Sequence, residues 1–347
     1  MNKVLKIIGP ARMKPRAICL LAAALLAGVF TSVSPADAQT RKFLFGYSSL
    51  SSNQTTLWVG KDEGIFKRFG LDPELILIEG GTRGAQALIS GDVPIMGMAG
   101  QPVISARARG SDLVLIGGMI NKMNYILASA AGIKKPEDLK GKRVGITQVG
   151  SASYHAVLLA LKHWGMDARR DKVTLLQVGN QAARVASLQT GGSDAAIVNP
   201  GLATTLSARG FNILADFTEL PIPYPQQVLA VRERIIKSDP VLIEQILKSV
   251  AAATAFVWDP KNKERVKKVL ASYLRLGKIE NAEEHYQSAL KVMSKKPYAD
   301  IAGIASMIDF MADSDPLVTK IKPEEVINHS VLKKLDDSGF LDQLYKK

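Results

Sequence analysis

Eight of the eleven residues in GYSSLSSNQTT, positions 46–56, are Ser, Thr, Asn or Gln. A nest of hydroxyls could hold a nucleophile, but a nucleophile is activated by a base or a metal held against it. No acid, His or Cys falls in this stretch. It therefore reads as a polar binding surface, with Ser48, Ser49 and Asn53 offered to a ligand and Ser51 or Ser52 capping the helix that follows.

Five further segments repeat the composition: GGTRG (80–84), GQPVIS (100–105), TQVGSASYH (147–155), GNQAAR (179–184) and NPGLATT (199–205). None of the six contains Asp or Glu, and their only cations are Arg83 and Arg184. Each follows a candidate strand, and helix N-termini placed there aim unsatisfied N–H groups and partial positive charge at the same spot. Such loops suit an anion or a neutral polar molecule, whereas an amine would want a carboxylate or an aromatic cage. The candidate ligand contacts are Ser48, Ser49, Asn53, Gly81, Thr82, Arg83, Gly100, Gln101, Gln148, Ser151, Ser153, Asn180, Asn199 and Tyr224. Tyr47, which closes a strand, and Tyr224, in the proline-rich stretch, are the aromatics placed where they could reach a cleft, and Trp58 is assigned to the core.

Catalytic motifs are missing from the sequence: there is no H-E-x-x-H, G-x-S-x-G, Walker loop or G-x-G-x-x-G after a strand. His155, His163, His285 and His329 are scattered, and the eight-residue spacing of the first two is wider than metal-ligand pairs on a helix use. They read as helix-surface or boundary residues, and no metal or cofactor is expected.

The elements that must hold these loops follow one rhythm. Candidate strands at 42–47, 74–79, 94–99, 112–118, 125–130, 143–148, 173–178, 194–199 and 212–217 alternate with helical patterns, which predicts βα units and mostly parallel sheets. The longest helical pattern in this part, 153–166, begins after Ser151 or Ser153, either of which can cap it. PIPYPQQ (221–227) carries three prolines and predicts a stiff extended connector. One more strand follows in VLAVRER, and from about Asp239 the pattern is helical to the end. That block lacks strands of its own and is expected to pack on the first half of the chain.

At the N-terminus, Lys3, Lys6, Arg12, Lys14 and Arg16 precede an apolar run at 17–30, and Ala36-Asp37-Ala38 has the A-x-A form of a cleavage site. The run is too short for a comfortable membrane span, so residues 1–38 read as a signal peptide cleaved after Ala38. Cys19, the single cysteine, falls within it, leaving the exported part without disulfides. Removing five cations and Asp37 lowers the formal charge from +13 to +9. Because the densest basic run, KNKERVKK (261–268), has no interleaved aromatics, the charge reads as solvated helix faces rather than a nucleic-acid surface.

GIFKRFGLDPELILIEGG (64–81), KKPEDLKGKRVGIT with the following VGSASY (134–154), and AAATAFVWDPKNKERVKKVLASYL (251–274) together resemble the periplasmic sulfonate-, taurine- and nitrate-binding proteins and their thiamine-pyrimidine-synthase-like relatives. The resemblance covers most of residues 42–275. It implies an α/β type II periplasmic binding protein fold, with two lobes joined by crossings near 121–125 and 221–227. Lobe 1 would comprise 39–121 and 226–347, and lobe 2 would comprise 122–225. Its binding positions correspond to 48–53, Gly81, Thr82, Gly100, Gln101, 150–153, Asn180 and Asn199. The implied function is that of a monomeric periplasmic receptor that passes a small anionic or neutral polar solute to an ABC permease in the inner membrane. The alternatives are a pyrimidine-precursor binder, a pyrimidine-synthase-like enzyme or a ligand sensor on the same fold. The enzyme branch uses a cysteine-rich iron site, which a cysteine-free exported chain does not supply.

Overall fold

Short apolar runs produce ten strands: β1 Arg41–Tyr47, β2 Leu71–Leu77, β3 Ile95–Met98, β4 Leu113–Lys122, β5 Ile126–Ser129, β6 Arg143–Ile146, β7 Thr174–Gln177, β8 Ala195–Val198, β9 Asn212–Asp216 and β10 Pro223–Arg232. The computed structural model describes residues 40–346. The signal-peptide reading of residues 1–38, with its cleavage site and Cys19, lies outside them.

Two five-stranded sheets form, in the orders β2-β1-β3-β10-β4 and β7-β6-β8-β5-β9. In each, four strands run one way and one runs against them. β10 pairs antiparallel with both β3 and β4, and β5 pairs antiparallel with both β8 and β9. The exceptions follow from the chain path. Each reversed strand is the first to enter its sheet after a crossing, so it comes in at the edge where its neighbours finish.

Between strands lie the helices α1 Thr55–Asp62, α2 Gly81–Ser90, α3 Gln101–Ala108, α4 Ala152–His163 and α5 Gln181–Gln189. After β10 come α6 Pro240–Trp258, α7 Lys263–Tyr273, α8 Glu283–Val292 and α9 Ile301–Ala312. Ile243, Ile246, Val250, Ala253 and Val257 make a fully buried stripe on α6. Their spacing of three and four residues marks one helix face. That face joins Phe45, Leu57, Trp58 and Val114 of the first sheet and α1 in a single apolar cluster. α6 is long and apolar enough to cross a membrane, yet its burial against the first sheet makes it a core helix. Asp239 caps it, accepting from Leu242 N at 3.1 Å.

A second cluster joins Met96, Met98, Val228 and Ala230 of the first sheet to Leu127, Val144 and Ile197 of the second. The apolar core is therefore continuous beneath both sheets. The proline-rich stretch departs from the expected connector. From Pro223 it is already part of β10, and Pro225, which has no N–H to leave unpaired, offers its carbonyl to Gly100 N at 2.8 Å.

Gly117 and Gly118 in β4 let the segment before α9 lie directly on the strand. Gly118 N donates to Pro297 O at 2.8 Å, and a Cβ on Gly118 would stand 2.6 Å from Ala299 Cα. That obstacle is backbone and cannot rotate away. Gly118→Ala should therefore cost about 1–3 kcal/mol in urea unfolding, and an unchanged midpoint would show that the segment yields freely.

Candidate functional site

Residues that end the forward strands and begin the reversed ones all fall on one edge of each sheet. Ser48 follows β1, Glu79 and Gly80 follow β2, Ala99 follows β3, Thr147 follows β6, Asn180 follows β7, Tyr125 precedes β5, and Gln226 and Gln227 lie early in β10. These residues line two cavities of about 40 Å³ each. Ser48, Ser49, Tyr125 and Thr147 line both. The N-termini of α2, α4 and α5 open onto them through Gly81, Ala152 and Gln181, which brings three partial positive charges to one place.

The strongest charge there is Arg184. It is 4% exposed and makes no ion pair among the described residues. Nε donates to Ile197 O at 2.6 Å, and Nη1 donates to Gly179 O and Thr147 Oγ1, both at 2.7 Å. Burial lowers its pKa to about 10, with Tyr125 and Glu79 acting against the shift, so it remains a cation at neutral pH. Helical side chains lean toward the helix N-terminus, and Arg184, the fourth residue of α5, reaches back to the cavity at the start of its own helix.

Thr147 extends this cation. Its oxygen accepts from Arg184 and also from Ser153 Oγ at 3.1 Å. Both lone pairs are then in use, and the hydroxyl hydrogen is free to be donated. Ser151 Oγ lies 3.0 Å from Ser153 Oγ and accepts from Tyr154 N at 3.4 Å as the cap of α4. The row Ser151, Ser153, Thr147 therefore points its protons one way, toward the cavity.

Of the residues expected from sequence, Ser48, Ser49, Asn53, Gly81, Ser151, Ser153 and Asn180 line a cavity. The others stand elsewhere. Arg83 is exposed and lines neither cavity, because the third residue of α2 points outward. Thr82 sits beside Gly150 and Gln148 against Gly80. Gly100 packs on Pro225. Gln101 and Tyr224 are fully buried, and the Tyr224 hydroxyl donates to Ala152 O at 2.7 Å. Tyr47 is a core residue whose ring meets Trp58 edge-on. Ser51 and Ser52 make no side-chain cap. Ser52 Oγ instead donates to Asn199 Oδ1 at 2.7 Å, so Asn199 ties the two sheets together rather than facing the cavities.

Glu79, Tyr125, Thr147 and Arg184 were not among the expected contacts. Tyr125 and Arg184 were visible as an aromatic and as one of two loop cations, and the backward lean of α5 is the signal that favours Arg184 over Arg83. Glu79 stands one residue before GGTRG, so the acid-free loops do not make an acid-free site.

Polar ties bind the halves around the cavities. Asn124 Nδ2 donates to Asn53 Oδ1 at 2.6 Å and Asn180 Nδ2 to Glu79 Oε1 at 3.1 Å. α8 adds a flank: Glu284 accepts from Thr204 N at 3.1 Å, Ser288 donates to Asn124 at 3.2 Å, and Lys291 pairs with Asp216 and Glu219. The His285 ring lies so close to Gly201 that a Cβ there would fall 2.1 Å from Nδ1. Contrary to the surface reading, His155 and His285 are buried. Among the described residues no group of His, Cys, Asp and Glu could hold a metal.

The chain matches a family described as NMT1/THI5 like over residues 51–263. It is 29% identical over 139 residues to the taurine-binding periplasmic protein of Escherichia coli K12, covering 40% of this chain and 42% of that one. It is also 29% identical over 211 residues to the putative aliphatic sulfonates-binding protein of the same organism, covering 59% and 64%. The matches thus span less than two thirds of either relative. The solved periplasmic aliphatic sulphonate binding protein SsuA of Escherichia coli has the same fold, with a TM-score of 0.65 at 22% identity over 83% of this chain and 92% of that one.

Burial lowers both His155 and His285 to about 4. In the unfolded chain such rings bind protons near pH 6.5, so between about 6.5 and 4 the unfolded state holds more protons and stability falls as pH falls. Each ring should contribute up to about 1.4 kcal/mol per pH unit within that window. Urea unfolding at pH 7 and 5 measures the slope, and His285→Gln should remove its share. A flat profile would contradict the burial.

Proposed function

Because the chain belongs to the NMT1/THI5-like family, we propose that it is a periplasmic solute receptor of an ABC importer, binding a small organic oxyanion between its two halves. Lobe 1 (39–121 and 226–347) and lobe 2 (122–225) close on the ligand as a monomer, and the closed form is what the inner-membrane permease recognises. The relatives' names support a sulfonate or a similar acid. The reading is of a binder rather than an enzyme: no His or Cys lines either cavity.

The observation that carries this reading is Arg184. A buried cation held only by neutral oxygens retains unsatisfied charge, and an oxyanion in the cavity would complete it. Thr147 then donates its remaining proton to the same group, and the starts of α2, α4 and α5 add N–H groups and dipole. Ser48 and Ser49 close the opposite wall. Ties such as Ser52–Asn199 and Asn53–Asn124 form only when the lobes are together, so a ligand that bridges the lobes shifts the population toward closure.

Thermal-shift screening of the purified protein against small sulfonates, carboxylates and nitrate tests the reading. A ligand at a hundred times its dissociation constant adds about 2.7 kcal/mol. Arg184→Met should weaken binding by about 2–5 kcal/mol. Stabilisation by neutral sugars or diamines alone, or an Arg184→Met variant that binds like the parent, would overturn the proposal. Ser49→Trp fills both cavities from one wall and should abolish the anion-induced shift while leaving the unliganded melting temperature nearly unchanged. Retained binding in that variant would remove the 48–53 loop from the site.

A further inference from the structure

Two buried histidines have no part in the binding proposed above, and each is covered by the other half of the chain. His285 stands on α8, within lobe 1, and its ring lies against Gly201 of lobe 2. Any side chain at position 201 would strike the ring. His285 is 2% exposed, and its Nδ1 has no hydrogen-bond partner among the described residues. His155 stands on α4, within lobe 2, and its ring meets Phe310 of α9, within lobe 1, edge-on with centroids 6.4 Å apart. Its Nδ1 lies 3.1 Å from Ser151 O.

We infer that His155 and His285 form an acid-operated latch: with neutral rings the halves can close over them, and with protonated rings the halves are held apart. This rests on the closure proposed above and adds a condition to it. Neither ring has a carboxylate that would welcome its proton. Around His285, Glu283 pairs with Lys263 and Lys267 of α7, Glu284 accepts from Thr204 N, Lys291 pairs with Asp216 and Glu219, and Glu280 and Lys122 are exposed. Residues 52–54 and 200–202, which also pack on α8, carry no charge. Around His155, Lys162 and Asp313 pair with each other beside Phe310, Asp309 and His163 are exposed, and the Tyr224 hydroxyl is bonded to Ala152 O. Ser151 O alone favours a charged His155 ring, and burial outweighs it.

Both rings are held down to about 4 in the closed form, whereas a ring in water titrates near 6.5. Below about pH 6.5 the parted form therefore binds more protons than the closed form, and falling pH favours parting. Above it the two forms bind equally few protons and the bias vanishes. At about pH 5.5 each ring that becomes fully exposed shifts the balance about tenfold. The rings act on one equilibrium, so their factors multiply. A receptor built this way holds its ligand near neutrality and loosens in acid.

A cross-link across the cleft tests the latch without any ligand. Residues 39–347 contain no cysteine, and Glu79 and Asn180, whose side chains touch across the cleft at 3.1 Å, can be replaced as the pair Glu79→Cys and Asn180→Cys. A short bifunctional thiol reagent, methanediyl bismethanethiosulfonate, joins them only when the halves are together, so the cross-linked share against the doubly modified share reports even a rare closed form. The same pair with His155→Gln and His285→Gln is treated at the same pH, which cancels the pH dependence of the thiols. At pH 7.5 the two proteins set the reference ratio, and at pH 5.5 the parent should cross-link at least about tenfold less relative to the histidine-free protein. His155→Asn with His285→Asn serves if the glutamine protein does not fold. A ratio that is the same at both pH values overturns the latch and leaves closure standing. No cross-link in either protein at either pH overturns both.

Discussion

A guanidinium taken out of water with no carboxylate paired to it among the described residues is the constraint on which the site depends. Such a charge persists only where dipoles replace its lost hydration. Ile197 O, Gly179 O and Thr147 Oγ1 do so for Arg184, and each comes from the end of a strand or the turn after it. The hydroxyl row from Ser151 to Thr147 exists in its polarity because Arg184 occupies one lone pair of the last member. Electrostatic character, loop composition and sheet direction are in this sense one arrangement.

Much of the fold is legible in the sequence because strand periodicity and turn residues are local signals. All ten strands overlap the apolar runs expected to form them, although β10 starts earlier, inside the proline-rich stretch, and Ser151 caps α4 as expected. The site is legible only in part, because side-chain direction and long-range pairing are not local. Arg83 and Arg184 look equivalent in the sequence, three and four residues into their helices, yet one faces solvent and the other is buried. Ser52 has the residue type of a cap, but a partner 147 positions away takes its proton. His285 meets Gly201 across the two halves, a contact that no spacing along the chain encodes. Glu79 was missed because it belongs to the end of a strand pattern rather than to a loop.

Around the cavities the ties between the halves are polar, while an apolar cluster joins the two sheets beneath them. A single buried hydrogen bond contributes on the order of 1 kcal/mol net, and its groups can return to water when the halves part. An apolar seal of similar extent would have to expose hydrocarbon each time it opened. The distribution of contacts, apolar beneath the sheets and polar around the cavities, fits the proposed closure of the two halves on a ligand.

β10 lies in the interior of the first sheet, between β3 and β4, although the whole of residues 123–222 separates β4 from it in the chain. No fragment ending before Pro223 can complete that sheet, and α6, which covers it, arrives later still. Such long-range closure is slow to form and stays open until late in synthesis. The same topology that places two reversed strands at the cleft therefore postpones the native state until most of the polypeptide exists, an interval in which an unfolded chain can still be threaded through a narrow passage.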